Sequence, residues 1–224
     1  MSGWARFPDL VTRCATGHLS LSSLEAVATE LAVRRVILVE GVSDRAALES
    51  LATILRRNLD DEKIAIIPMG GAMSIRRYVR VLGPGGLHLT LSGLCDAGEE
   101  NFFRRSLEKE EVGTAFTREG LEGLGFFVCD PDLEAELIRA LGAPAIEQAF
   151  ADEGDLAAFR TFQNQPFQRT KTLEQQLHRF LGTIGGRKER YGGVLASRLK
   201  PPDIPRPLLS VLAFGDTVAD TRTA

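Results

Sequence analysis

Val36-Ile37-Leu38-Val39-Glu40-Gly41-Val42-Ser43-Asp44-Arg45-Ala46 is an apolar, largely β-branched run that stops at a glutamate and turns through a glycine. It then opens into a helix-like segment with an aspartate four residues beyond the glutamate. A parallel strand buried on both faces reads as such a continuous hydrophobic run. Ligands of open α/β sheets bind outside the carboxyl ends of these strands. Glu40 and Asp44 are therefore expected at the mouth of one strand–turn–helix unit. Gly41 is expected to allow close backbone approach there. Hard oxygen ligands at that position suit Mg2+ and phosphoryl chemistry. A helix cap accounts for Asp44 alone, since Asp is favoured at N-caps. It does not account for a glutamate that closes a buried strand.

Three more apolar runs follow, Lys63–Pro68, Leu87–Cys95 and Gly125–Cys129, each succeeded by a helix-like stretch. Strands alternating with helices place the chain in the α/β class, with a four-stranded, mostly parallel sheet flanked by helices. Leu21–Ala32 reads as a helix, with Ser22 and Glu25 at capping-box spacing. After Leu141 the pattern turns helical over 143–150, 155–162, 172–181 and 188–199, where Thr172 and Gln175 form a second candidate box. Pro201-Pro202 and Pro205–Pro207 interrupt it, and the tail after Gly215 is expected to fray. The expected organisation is an N-terminal segment and helix over 1–32, the α/β domain with a helical C-terminal extension over 33–199, and a Pro-rich segment and tail over 200–224.

The composition is that of a globular protein able to bury a core, with 44% apolar and 25% charged residues among 224. No apolar run approaches the roughly 18 residues that span a bilayer. The first residues lack the pattern of a signal peptide. A cytoplasmic location with no membrane partner is the expectation. Cys14, Cys95 and Cys129 show no CxxC spacing and only three histidines are present, so a zinc site is poorly supported. Buried thiols are expected instead. A net charge of −3 argues against a strong general nucleic-acid field. A local basic track beside an acidic metal site remains compatible with it, because bound cations invert the local sign.

Three further segments bear on chemistry. Asp96 ends the third run in Leu94-Cys95-Asp96-Ala97-Gly98-Glu99-Glu100. In a parallel sheet it shares an edge with Glu40, and crowded carboxylates repel unless a cation is bound. The fourth run ends in Asp130-Pro131-Asp132-Leu133-Glu134-Ala135-Glu136. Pro131 fits the first turn of a helix, where acids are favoured. Helical spacing would turn Asp130 and Glu134 one way and Glu136 another. Asp130, Asp132 and Glu134 are thus the preferred ligands. Gly185-Gly186-Arg187-Lys188-Glu189-Arg190 can form an anion-binding corner, its lysine neutralising charge on a phosphoryl oxygen. A solvated basic turn is the plainer alternative. Gly70-Gly71 permits a tight turn, and Arg76, Arg77 and Arg80 on the helix after it either touch a nucleic-acid backbone or form a solvated face.

An apolar strand ending in V-E-G-x-x-D, a Gly-Gly turn and a strand ending in Asp together resemble the Toprim domain of topoisomerases, bacterial primases, recombination proteins of the RecR type and OLD-family nucleases. Leu38–Ala47, Pro68–Ile75, the D-P-D-L-E region and the late G-R-K cluster look most like the OLD (overcoming lysogenization defect) nucleases, over roughly 33–199. The resemblance implies a Toprim-like Rossmannoid fold and two bound Mg2+ or Mn2+ ions. Glu40, Asp44 and Asp96 would hold one ion; Asp130 and Asp132, with Glu134, the other. Glu40 and Lys188 would be the catalytic residues. Arg76, Arg77, Arg187 and Arg190 would contact nucleic acid.

The chain departs from the family pattern twice. The usual D-x-D reads Asp96-Ala97-Gly98, so that Glu99 substitutes from one position further on or one metal site is weakened. There is no G-x-x-x-x-G-K-[ST] sequence for ATP, as expected of a free-standing Toprim domain without the ATPase. The implied function is a metal-dependent phosphodiester hydrolase, foremost a DNA endonuclease. The alternatives are a weakened module that binds nucleic acid or a partner ATPase, and an RNA-processing Toprim hydrolase. The implied partners are nucleic acid, a separate ATPase subunit and a second copy in a homodimer. A topoisomerase is disfavoured, because the only tyrosines are Tyr78 and Tyr191.

Overall fold

The computed structural model describes residues 3–115, 117–182 and 186–216. Gly185 and the 217–224 tail, both invoked above, lie outside the described residues. Four strands, β1 (Arg35–Val39), β2 (Ile64–Pro68), β3 (Thr90–Asp96) and β4 (Phe126–Cys129), form one sheet in the order β2-β1-β3-β4. Every neighbouring pair is parallel. The third strand starts at Thr90 rather than Leu87. The amides of Leu87 and Leu89 bond instead to the carbonyls of Val81 and Leu82, closing the helix before the strand.

Side chains alternate across a strand, and here both faces are buried. Val36 and Leu38 join one core; Ile37 and Val39 join the other. The first core is covered by α1 (Gly3–Ala15), α2 (Leu21–Glu30), α4 (Ile75–Leu82), α5 (Glu100–Lys109) and α6 (Arg118–Gly123). The second is covered by α3 (Val42–Ile54) and the helical C-terminal part: α7 (Leu133–Asp152), α8 (Leu156–Gln163), α9 (Leu173–Gly182), α10 (Arg187–Ala196) and α11 (Arg206–Ala213). That part shares one apolar core with the sheet. Within it the Phe150 ring packs on Phe159, Phe180 and Tyr191 at centroid distances of 5.0–5.1 Å, a separation at which aromatic pairs attract.

Several local expectations change. Helix α1 lies in the expected N-terminal segment and contains Pro8, and its Phe7, Val11 and Cys14 recur at helical spacing and are buried. Helix α2 is capped by Ser20, whose Oγ accepts from the Ser23 amide at 3.2 Å, so the Ser22–Glu25 box does not form. The Thr172–Gln175 box does form, with reciprocal bonds of 3.1 and 3.3 Å. Helix α7 begins well before Ala143 and bends at Gly142, whose φ of 72° is outside the helical region. Pro205 and Pro207 initiate α11 rather than ending helical structure, and Leu208, Val211 and Leu212 are fully buried. All three cysteines are buried and unbridged. Among the described residues no helix is long and apolar enough to cross a membrane.

One close approach positions the site. A Cβ on Gly192 of α10 would lie 2.5 Å from the Ser43 carbonyl oxygen of α3. Only a glycine permits that helix contact. Lys188 lies one turn earlier on α10, and side chains lean toward a helix N-terminus, so the contact directs this lysine to the strand ends.

Candidate metal centre

The chain leaves β1 for β2 on one side and later returns to β3 on the other. The crevice at such a switch point opens at the C-terminal ends of β1 and β3. Leu38 pairs with Gly93, so Glu40, just beyond β1, comes level with the end of β3 and Asp96. A 3-10 turn over Ala97–Glu99 follows. Glu99 closes that turn, on the same side as Asp96 and Glu40. Glu40, Asp96 and Glu99 each place a carboxylate oxygen within 4.8 Å of the others. Glu99 thus places a second carboxylate beside Asp96, whereas Gly98 offers none.

Two carboxylates that close repel by about 3 kcal/mol at an effective dielectric of ~20, so the group holds either protons or a cation. Burial, then the neighbouring Glu40 and Asp44, pushes Asp96 up to about 7. Burial, then the contact with Glu40, pushes Glu99 up to about 7 as well. Its Oε2 is buried with no hydrogen-bond partner among the described residues. A divalent cation fits this set: hard oxygens, unsatisfied charge and an orphaned acceptor.

Asp44 stands beside the group on the first turn of α3. Its Oδ2 accepts from the Gly41 amide at 2.9 Å. Burial raises its pKa, against that amide and Lys188. The Gly41 backbone is extended, and a Cβ there would meet only ordinary contacts at 3.6 and 3.8 Å. The expected need for close approach at Gly41 is therefore absent. Gly70 and Gly71 do need their freedom, with φ of 71° and 117°. The Gly71 amide bonds to the Glu40 carbonyl at 3.0 Å, tying this turn to the site.

A second group comprises Asp132, Glu134 and His178, with ligand atoms again within 4.8 Å of one another. Asp132 caps α7, its Oδ1 accepting from the Ala135 amide at 2.9 Å. Its Oδ2 lies 2.7 Å from His178 Nε2 on α9. Burial opposes ionisation of Asp132, but His178 and the Ala135 amide prevail and lower its pKa. Glu134 is buried, with Oε2 3.2 Å from Lys188 Nζ and Oε1 lacking any hydrogen-bond partner among the described residues. Burial works against the Lys188 charge, yet Glu134, Asp96 and Asp44 together raise its pKa. This ammonium therefore contacts Glu134 and lies within electrostatic reach of Asp96 and Asp44.

The remaining expected residues sit elsewhere. Asp130 belongs to neither group; it pairs with Arg118 at 2.9 Å, and its side chain is 57% exposed. Helix α7 starts only at Leu133, so Pro131 is outside its first turn and the spacing that aligned Asp130 with Glu134 does not apply. Glu136 accepts from the Asp130 amide at 3.0 Å and pairs with Arg139 at 2.7 Å, away from the site as expected. Of the basic residues, Arg76 pairs with Glu110 at 2.7 Å, and Arg77 bonds to Ser74 Oγ at 3.0 Å. Arg190 pairs with Glu153. Arg187 differs from the expected solvent-facing contact: its guanidinium lies 3.9 Å from the Phe180 ring centroid, and its side chain is only 9% exposed. His178 carries no local signal of its role, because it lies 46 residues from Asp132.

Residues 32–97 match the family described as overcoming lysogenization defect protein-like, TOPRIM domain. No curated protein matches the chain. Among solved structures, the chain is similar to the C-terminal region of the Xanthomonas campestris pv. campestris OLD protein, with a TM-score of 0.63 and 28% identity over 81% of this chain and 91% of that one. It shares its fold with the C-terminal region of the Burkholderia pseudomallei OLD protein, with a TM-score of 0.61 and 22% identity over 80% of this chain and 95% of that one. The chain thus carries an OLD-like Toprim domain over residues 32–97, set in the fold of OLD protein C-terminal regions.

Proposed function

We propose that this chain is a divalent-metal-dependent phosphodiester hydrolase, a DNA endonuclease that works with two Mg2+ or Mn2+ ions. The observation that carries the proposal is the pair of carboxylate groups on either side of one lysine, each with a buried carboxylate oxygen left unpaired among the described residues. Glu40, Asp96 and Glu99, with Asp44 alongside, would hold one ion. Asp132, Glu134 and His178 would hold the other. Bound ions would supply Lewis acidity for the attacking water and the leaving oxygen.

The chain's own groups supply the rest. Lys188 would turn from Glu134 to a non-bridging phosphoryl oxygen and stabilise the charge developing there. The Gly70-Gly71 turn, bonded to the Glu40 carbonyl, would hold the strand end in place. Water adds to phosphorus, the bond to the leaving oxygen breaks and that oxygen takes up a proton. The position of Glu99 favours this reading over a weakened binding module, since it supplies the carboxylate that Gly98 lacks. RNA cleavage would use the same groups and is tested alongside.

The test is nicking of supercoiled plasmid, and cutting of a matched RNA, by wild type and Glu40→Gln with Mg2+, Mn2+ or EDTA. Metal-dependent nicking that Glu40→Gln loses supports the proposal. Cutting of RNA alone reassigns the substrate. Equal cutting by both proteins, or none with any metal, overturns the proposed site.

A further inference from the structure

The turn between α8 and α9 presents Phe167 with 60% of its surface exposed. Two cations flank the ring. Lys171 Nζ lies 5.2 Å and the Arg179 guanidinium 4.9 Å from its centroid. Both cations also line a pocket of about 470 Å³. Pro131, Ala135 and Ile138 contribute apolar lining, and Arg139 adds a third cation. Glu174 is its acidic member. Arg139 is held by Glu136 at 2.7 Å and by the Asp130 carbonyl at 2.6 Å. The pocket also reaches His178, whose Nε2 touches Asp132 of the second carboxylate group. A cation-lined apolar pocket therefore adjoins the candidate metal centre, and two of its cations pack on the Phe167 ring.

We infer that this surface is a subsite for an unpaired nucleotide of the nucleic-acid substrate, next to the phosphate that is cut. Single strands are recognised where aromatic and guanidinium planes stack on bases and cations track the phosphates. Phe167 and Arg179 supply the planes. Lys171 and Arg179 supply the positive charge. The apolar lining takes an unstacked base, which a paired base inside a duplex cannot offer. The charge also selects the occupant, because with Arg139 paired to Glu136, Lys171 and Arg179 beside the single lining acid Glu174 favour a polyanion over an apolar ligand. The inference rests on the proposed action on nucleic acid. It goes further by giving that action a preference for frayed, gapped or single-stranded segments.

The test is fluorescence anisotropy of a labelled single-stranded oligonucleotide and its blunt duplex, with Ca2+ to limit cleavage. Wild type, Phe167→Ala, Phe167→Trp and the double variant Lys171→Gln/Arg179→Gln are compared. Wild type should bind the single strand more tightly than the duplex. Phe167→Ala should weaken single-strand binding roughly ten-fold, with much less effect on the duplex, and Phe167→Trp should restore it. The double variant should lose most of the salt dependence contributed by two cations. An unchanged melting temperature for Phe167→Ala shows that the loss is not unfolding. Equal single-strand affinity in wild type and Phe167→Ala overturns the subsite. Absence of single-strand binding by wild type also overturns it. In either case, continued metal-dependent plasmid nicking leaves the hydrolase proposal standing; loss of nicking as well removes both.

Discussion

The two carboxylate groups are built in opposite ways. Glu40, Asp96 and Glu99 come from the ends of adjacent parallel strands and the turn after one of them. They crowd together with like charge, and Asp96 and Glu99 are pushed up to about 7. Asp132, Glu134 and His178 come from the start of α7 and from a distant helix. There His178 bonds to Asp132 and the Lys188 ammonium pairs with Glu134. The strand-end group is thus the one whose apo form is strained by charge. In the helical group each acid already has a partner within the chain. The first should depend on metal more strongly, while the second should depend more on the packing that delivers α9 and α10.

The largest effect should follow from Glu40→Gln, which removes a central charge of the strand-end group. The loss in nicking should exceed the ~10–100-fold typical when a partner outside the ligand set is changed. Wild-type rates would erase the distinction between the groups. Lys188→Ala should come next, with about a hundred-fold loss in rate. Its Mn2+-induced rise in melting temperature should be largely preserved. If the rate and the metal response fall together, Lys188 is a structural counter-charge instead.

Glu99→Gln sharpens the comparison further. It should weaken Mn2+ binding about 10-fold or more by calorimetry, as expected of a residue doing the work of the missing second aspartate. Unchanged affinity would leave Gly98 uncompensated. The smallest effect is in the pH dependence of the metal-free protein. The folded-state values of Asp96 and Glu99 lie above ordinary carboxylate values, so the native state binds more protons than the unfolded chain. Their stabilising contribution is fully present below about pH 4 and is lost as pH rises through about 7. Stabilisation by Mn2+ should accordingly grow across that window. Thermal melts with and without Mn2+ at several pH values would show it, and a metal response that shrinks with rising pH would contradict the charge strain.

The four strands were readable because buried parallel strands leave unbroken apolar runs, as at Val36–Val39 and Phe126–Cys129. Glu40 and Asp96 were readable for the same reason, since each closes such a run. Helix α11 escaped because its prolines resemble an ending when they form a beginning. Asp130 misled because helical spacing was applied to a residue ahead of the helix.

Local sequence by itself determined which residues end the strands, and with them the first carboxylates of the site. A strand's pleat and apolar run are properties of consecutive residues. Only the tertiary structure decided that Glu99 comes beside Asp96 and that His178 reaches Asp132. It also decided that Gly192 lets α10 approach α3 closely enough for Lys188 to contact Glu134 within electrostatic reach of Asp96 and Asp44. These relations depend on a specific turn and on helices packed across long sequence separations. Neither apolar periodicity nor residue spacing encodes such relations, because they arise from side chains meeting in the folded chain.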